Sequence, residues 1–382
     1  MDANKMEQTK RGTIEEINYL RAFGVLAVIA IHTTGYFTEV NDLNLLVILN
    51  LWTDVFSQFA VPLFILISGF LLAKKYRGNF SISRFYSKRI RSIIPQFLIF
   101  SVLYTAFNNW ATMKNSPLSA NLTLIFNHIW QSDASYHLWF FAIIIQLYIF
   151  YPIIIKVYDL FKNENKAELM ISLMLMTQIL WLVGTHIRYF PAIQVHHFMA
   201  YLFYFGVGIY TCDHFEQLKK NSDRQRLTPF FLTTSLALTI GSSFLIIVGL
   251  LQGYKYYDIP TYFFIGPEFI YPILRIITFL FLFNLADKLV RKRSILAKIV
   301  NKIGEYSFGM YLIHIFFNQY TITLLRNYNV DYNNWRFYPI VFAVTVIFSY
   351  LAVRLISYLP FSYYIIGHRK KENLAGARRH SY

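Results

Sequence analysis

The chain has 382 residues, of which 56% are hydrophobic, 19% aromatic and only 15% charged. Soluble domains carry about 25% charged residues, so this composition excludes an ordinary water-soluble globule. The formal charge of +16 does not mark a nucleic-acid partner, because Lys and Arg collect between alternate apolar runs rather than in one patch, and the single cysteine, Cys212, excludes an internal disulfide and a multi-cysteine metal or redox centre.

Apolar runs long enough to cross about 30 Å of hydrocarbon fall at 20–37, 51–72, 93–110, 138–157, 168–185, 196–212, 229–251, 269–287, 303–325 and 338–358. They predict an all-α fold, a polytopic membrane helix bundle of about ten transmembrane helices spanning residues 20–358. A cytoplasmic N-terminal segment, 1–19, precedes it and a basic cytoplasmic tail, 359–382, follows. Basic residues before the first run give it the outline of a secretion signal. Arg21 and His32 inside it, and the lack of a small-residue cleavage site, point instead to a retained helix. The most basic connection carries Lys74, Lys75, Arg77, Arg84, Lys88, Arg89 and Arg91, followed by the one carrying Lys288, Arg291, Lys292, Arg293, Lys298 and Lys302. The positive-inside rule places both connections, and both termini, in the cytoplasm. The opposite connections, including 112–137, 252–268 and 326–337, are rich in Asn, Tyr or Trp, poor in Lys and Arg, and too short for a separate domain. Gly184, His186, Pro191, His196 and His197 interrupt the fifth and sixth runs.

Ionisable residues inside these runs are the candidates for chemistry, since a polar side chain in lipid is costly and faces a bundle interior or a watery cavity. Arg21 and His32 stand eleven residues apart, about three turns and 16 Å along one helix face. Arg21 falls at the cytoplasmic mouth and His32 beyond mid-depth, where a neutral imidazole can act as general base. A bland alternative has His32 bonding a neighbouring helix and Arg21 reaching lipid phosphates. The ninth run holds Gly304, Tyr306, Ser307, Gly309, Tyr311 and His314, a small and polar stretch that permits close helix approach. In the eighth run Arg275 must find a carboxylate, phosphate or water, and Glu268, two turns earlier, shares its face. His137 and Trp139 open the fourth run, where Trp also serves as an interfacial anchor. The basic run Arg84 to Arg91 suits either anionic headgroups or the phosphates of a cytosolic cofactor. The histidines form no metal-site spacing, and the chain has no P-loop, dinucleotide fingerprint or GxSxG elbow.

Five segments in order resemble acyltransferase family 3, the polytopic membrane enzymes that O-acylate surface glycans. They are Tyr19-Leu20-Arg21-Ala22 through Ile31-His32, the Ser68-Gly69-Phe70 segment, Lys88-Arg89-Ile90-Arg91 up to Pro95, His137-Leu138-Trp139-Phe140-Phe141 to Tyr151-Pro152, and Gly304 to His314. The resemblance implies a multi-pass protein of a bacterial cell membrane that moves an acyl group, most often acetyl, from cytoplasmic acyl-CoA to a hydroxyl of a polysaccharide or other envelope glycan. It implies His32 and Arg21 as catalytic residues, with His32 either base or acyl relay, and Lys88, Arg89 and Arg91 as donor-binding residues. Lys88 stands where many members carry Arg, and a lysine holds phosphate as a point charge only. His137, Trp139, Glu268, Arg275, Tyr311 and His314 become candidates for the substrate site, with no metal. The implied partners are the bilayer, acyl-CoA, the glycan acceptor and a glycosyltransferase or export protein. A short member without an added soluble domain also fits a second class, a non-catalytic polysaccharide exporter or flippase.

Overall fold

The computed structural model describes residues 14–40, 44–186, 197–222, 236 and 262–368. The expected seventh span, 229–251, apart from Leu236, lies outside the described residues, as do 1–13, most of the connection 252–268 and the tail from 369 onward. Among the described residues the fold is helical throughout, with no strand. In chain order the helices are α1 (Glu15–Thr34), α2 (Leu45–Ser57), α3 (Ala60–Lys75), α4 (Ile82–Asn108), α5 (Trp110–Lys114), α6 (Leu118–Gln131) and α7 (Trp139–Asn163). They continue with α8 (Ala167–His186), α9 (Leu202–Asp213), α10 (Phe215–Ser222), α11 (Tyr262–Lys292), α12 (Ile295–Asn327), α13 (Phe337–Ile356) and α14 (Ser362–Ile366).

Among the described residues, seven segments are long and apolar enough to cross a membrane: Glu15–Glu39, Leu45–Lys75, Ile82–Asn108, Trp139–Asn163, Ala167–Thr185, Glu268–Lys292 and Phe337–Ile356. This is a polytopic membrane bundle. The expected second span is longer than its apolar run and broken, α2 and α3 meeting at residues 58–59. The expected sixth is α9, whose 12 residues cover only about 18 Å and are preceded by a 3₁₀ turn, Phe198–Tyr201. The expected ninth, α12, runs 33 residues and carries Lys298, Lys302 and Glu305 in its first turns.

Local chemistry starts several of these helices: the side chains of Asn44, Ser81 and Ser294 accept hydrogen bonds from the amides of Val47, Arg84 and Ala297. Between helices the contacts are backbone-close. A Cβ on Gly304 would run into the backbone of Asn18, and one on Gly208 into the backbone of Leu66. Glycine thus lets α12 lie directly on α1 and α9 on α3, as expected where packing, not exclusion of water, holds helices together.

The ends of the bundle differ in charge. At the end holding Lys74 and Lys75, Arg77 pairs with Asp159 at 2.8 Å and with Asp213, to which Lys162 (2.9 Å) and the Tyr158 hydroxyl (3.0 Å) also bond. Burial alone would lower the Arg77 guanidinium, but Asp213 and Asp159 hold it above its usual value. At the opposite end the expected connection 112–137 contains α6, whose Leu118, Leu122, Phe126 and Trp130 form an exposed stripe four residues apart, the pattern of a helix lying in a membrane interface.

Candidate functional site

A cavity of about 770 Å³ opens at the basic end of the bundle and is lined by residues of α1, α3, α4, α7, α12 and the segment around α14. Its walls are largely apolar, with Phe64, Ile67, Leu71, Phe140, Phe141 and Phe308. Two guanidinium groups, Arg21 and Arg89, are set among them. Arg89 lies 5.5 Å from the Tyr76 ring centre and 5.6 Å from that of Tyr148, and its Nε is buried without a hydrogen-bond partner. Ser68, from the Ser68-Gly69-Phe70 segment, meets the Tyr148 hydroxyl at 2.9 Å. The mouth is flanked by His368, 3.8 Å from Glu305. Burial, together with Lys302, holds His368 below the usual imidazole range although Glu305 pulls the other way.

Tyr311 lines this cavity, and its hydroxyl donates to the backbone carbonyl of His137. Past it lie three imidazoles. His32 of α1 stacks on His314 of α12 at 5.3 Å between ring centres, and His137, in the turn before α7, meets His314 edge-on at 5.2 Å. His314 and His137 are buried. His314 Nδ1 sits 2.7 Å from the carbonyl oxygen of Tyr311. A carbonyl can only accept, so Nδ1 carries the proton and Nε2 a lone pair, and that Nε2 is buried with no hydrogen-bond partner among the described residues. Neighbouring bonds fix the cluster: Asn318 Nδ2 donates to Thr33 Oγ1 at 3.3 Å, tying α12 to α1 beside His32, and the Tyr104 hydroxyl donates to the Leu312 carbonyl at 2.9 Å. Among the described residues no group of three His, Cys, Asp or Glu side chains is arranged to hold a metal ion.

The structure therefore brings together His32, His137, Tyr311 and His314, and places Arg21 and Arg89 on the cavity leading to them. Lys88 and Arg91 are exposed and do not line it. Trp139, Glu268 and Arg275 form a separate group: Arg275 donates to the Tyr204 hydroxyl at 3.1 Å, stacks over Tyr271 at 4.9 Å and lies within electrostatic reach of Glu268, while Trp139 packs near Tyr201. Tyr148, Tyr104 and Tyr136, the last 4.7 Å from the His32 ring, had no distinguishing signal among 29 tyrosines.

A family model for an acyltransferase domain, that of acyltransferase family 3, matches residues 14–354. The chain belongs to acyltransferase family 3. It is a membrane acyltransferase, acting on groups other than aminoacyl. The match takes in every member of the histidine cluster and both cavity arginines, Arg21 and Arg89. No curated protein and no solved structure matches the chain.

Proposed function

We propose that this acyltransferase moves an acyl group, acetyl in the first instance, from cytoplasmic acyl-CoA to a hydroxyl of a cell-surface polysaccharide or envelope glycan. The observation that carries this reading is the basic-end cavity, which holds two half-buried guanidiniums and stops at a tyrosine backed by three histidines. With the basic end in the cytoplasm, Arg21 and Arg89 are suited to the phosphates and amide oxygens of the donor. The apolar walls suit its extended arm, and about 770 Å³ is ample for that arm and a short acyl group.

His32 serves as base. It takes the proton from the acceptor hydroxyl as that oxygen attacks the thioester carbonyl carbon; the carbon–sulfur bond breaks and the CoA thiolate leaves, to be protonated from the imidazolium. His314, stacked on His32, holds that ring in position. A positioned base is worth about 10²–10⁴ in rate. With labelled acetyl-CoA and cell-envelope glycan, purified His32→Ala should lose label incorporation by about that factor. Equal incorporation by wild type and variant would remove His32 from the reaction.

A further inference from the structure

A second pocket, of about 360 Å³, lies at the end of the bundle opposite the basic cavity. Its walls are Tyr36, just past α1; Phe107, at the end of α4; Gln319, Tyr320, Ile322 and Thr323 on the last turns of α12; and Tyr332, in the connection before α13. Four aromatic rings and two neutral polar side chains line it, and no charged residue does. The two rings best fixed are Tyr36 and Tyr332, which stack at 5.4 Å with their planes 4° apart. Arg326 holds Tyr332 from outside the lining, donating to its hydroxyl at 3.3 Å and lying over its ring at 5.2 Å.

A chain of side-chain contacts links this pocket to the histidine cluster. Tyr36 lies one turn beyond His32, its hydroxyl is hydrogen-bonded to that of Tyr136, and the Tyr136 ring rests edge-on against His32 at 4.7 Å. Tyr136 thus bridges the pocket's Tyr36 and the imidazole, as Tyr311 stands between the basic-end cavity and the same cluster. Flat aromatic faces with a side-chain amide and a hydroxyl at the rim recognise a ligand that has apolar faces and hydroxyl edges, and the uncharged lining favours a neutral one, Arg326 being outside it and held on Tyr332. The volume falls at the small end of ligand sites, about 300–1,000 Å³.

We propose that this pocket is the acceptor subsite and binds a neutral sugar ring, delivering one of its hydroxyls past Tyr136 to His32. The proposal rests on the acyl-transfer reading, which it deepens by assigning the place and chemical class of the acceptor. A lipid chain would be the competing occupant, yet the side-chain amide of Gln319 would then face hydrocarbon.

The test uses the full chain in nanodiscs. Binding is read by saturation-transfer NMR with maltotetraose and an N-acetylglucosamine tetramer as neutral probes and a hyaluronan tetramer as anionic control. At least one neutral probe should receive saturation, the anionic one should not, and Tyr332→Leu and Gln319→Leu should each weaken the signal. In the transfer assay with labelled acetyl-CoA, the same variants should raise KM for the glycan about tenfold more than KM for acetyl-CoA, the size expected from losing one stacked ring or hydrogen bond. Saturation of neither neutral probe, stronger binding of the anionic one, or equal effects on both KM values overturns the subsite. If wild type binds neutral sugar but transfers no label, the acyl-transfer reading fails while the sugar site stands.

Discussion

At the scale of single residues, the basic run shows how helix geometry sorts side chains that a motif lumps together. Lys88 and Arg91 are three residues apart and so lie about 60° from each other around α4, whereas Arg89 is turned about 100° from Lys88 and about 160° from Arg91. One cavity cannot take all three, and it takes Arg89, wedged against Tyr76 and Tyr148. The other two are exposed and do not line it. Arg89→Ala is therefore expected to raise KM for acyl-CoA by roughly tenfold or more, the loss of a charge-assisted contact. Lys88→Ala should change it less than about threefold, as surface charges do. Steady-state kinetics on both variants decides, and a larger effect at Lys88 than at Arg89 would assign the donor to the outer face of α4. The histidines follow a similar logic. Their presence in two apolar runs is visible in the sequence, but the tautomer of His314 follows only from the Tyr311 carbonyl beside it.

Among the elements, the segment around α14 departs most from expectation. Residues 359–382 read as a basic tail, yet 359–368 fold back on the bundle and help line the cavity. Ile366 is buried, the Tyr363 carbonyl accepts from Gln96 Nε2 at 2.7 Å, and Gly367, at φ +67°, turns the chain against Phe308. That backbone angle suits glycine and strains other residues. His368 ends this strap, packed on Tyr306 at 5.0 Å, with Glu305 and Lys302 as its charged neighbours. Its imidazole is held below the ordinary value of 6.5 when docked, so above that pH it is neutral in both states and docking is unaffected. As pH falls below 6.5 the released strap takes up the proton more readily than the docked one, and release is favoured until the docked group also charges. A spin label at Tyr364→Cys, in a Cys212→Ser background, should gain mobility as pH drops from 7.5 to about 5.5. His368→Gln should abolish the change; the same pH response in that variant would assign it to another group.

On the scale of the whole molecule, the two ends are made unlike by charge and by surface. Basic connections and the Arg77 clamp mark one end, and α6, with its exposed apolar stripe, the other. The cavity, the histidine cluster and the tyrosine pocket follow one another between those ends. That order suits a reaction whose two substrates approach from opposite sides of a bilayer. The orientation is checked with an impermeant thiol reagent on intact cells. Ala120→Cys, on the polar face of α6 in a Cys212→Ser background, should react from outside. Reaction only after the membrane is opened would invert the bundle and put the donor cavity on the wrong side for acyl-CoA.

That this is a helical membrane protein is legible in the sequence, because a bilayer leaves every spanning backbone little choice but helix and prints its thickness on the chain as apolar runs. So is the family, through short motifs such as Arg21 to His32 and Gly304 to His314 that keep their spacing within one helix. Which motifs meet depends on how helices far apart in the chain pack. His32 and His314 are 282 residues apart and stack because α12 packs on α1 through Gly304, while Trp139, two residues from His137, turns to a different neighbourhood with Tyr201. Hydrophobic periodicity says that a helix has a buried face. It does not say whose face covers it, since lipid and protein interior are equally apolar, and in a membrane that choice is left to small-residue contacts and paired polar groups distributed over the whole chain.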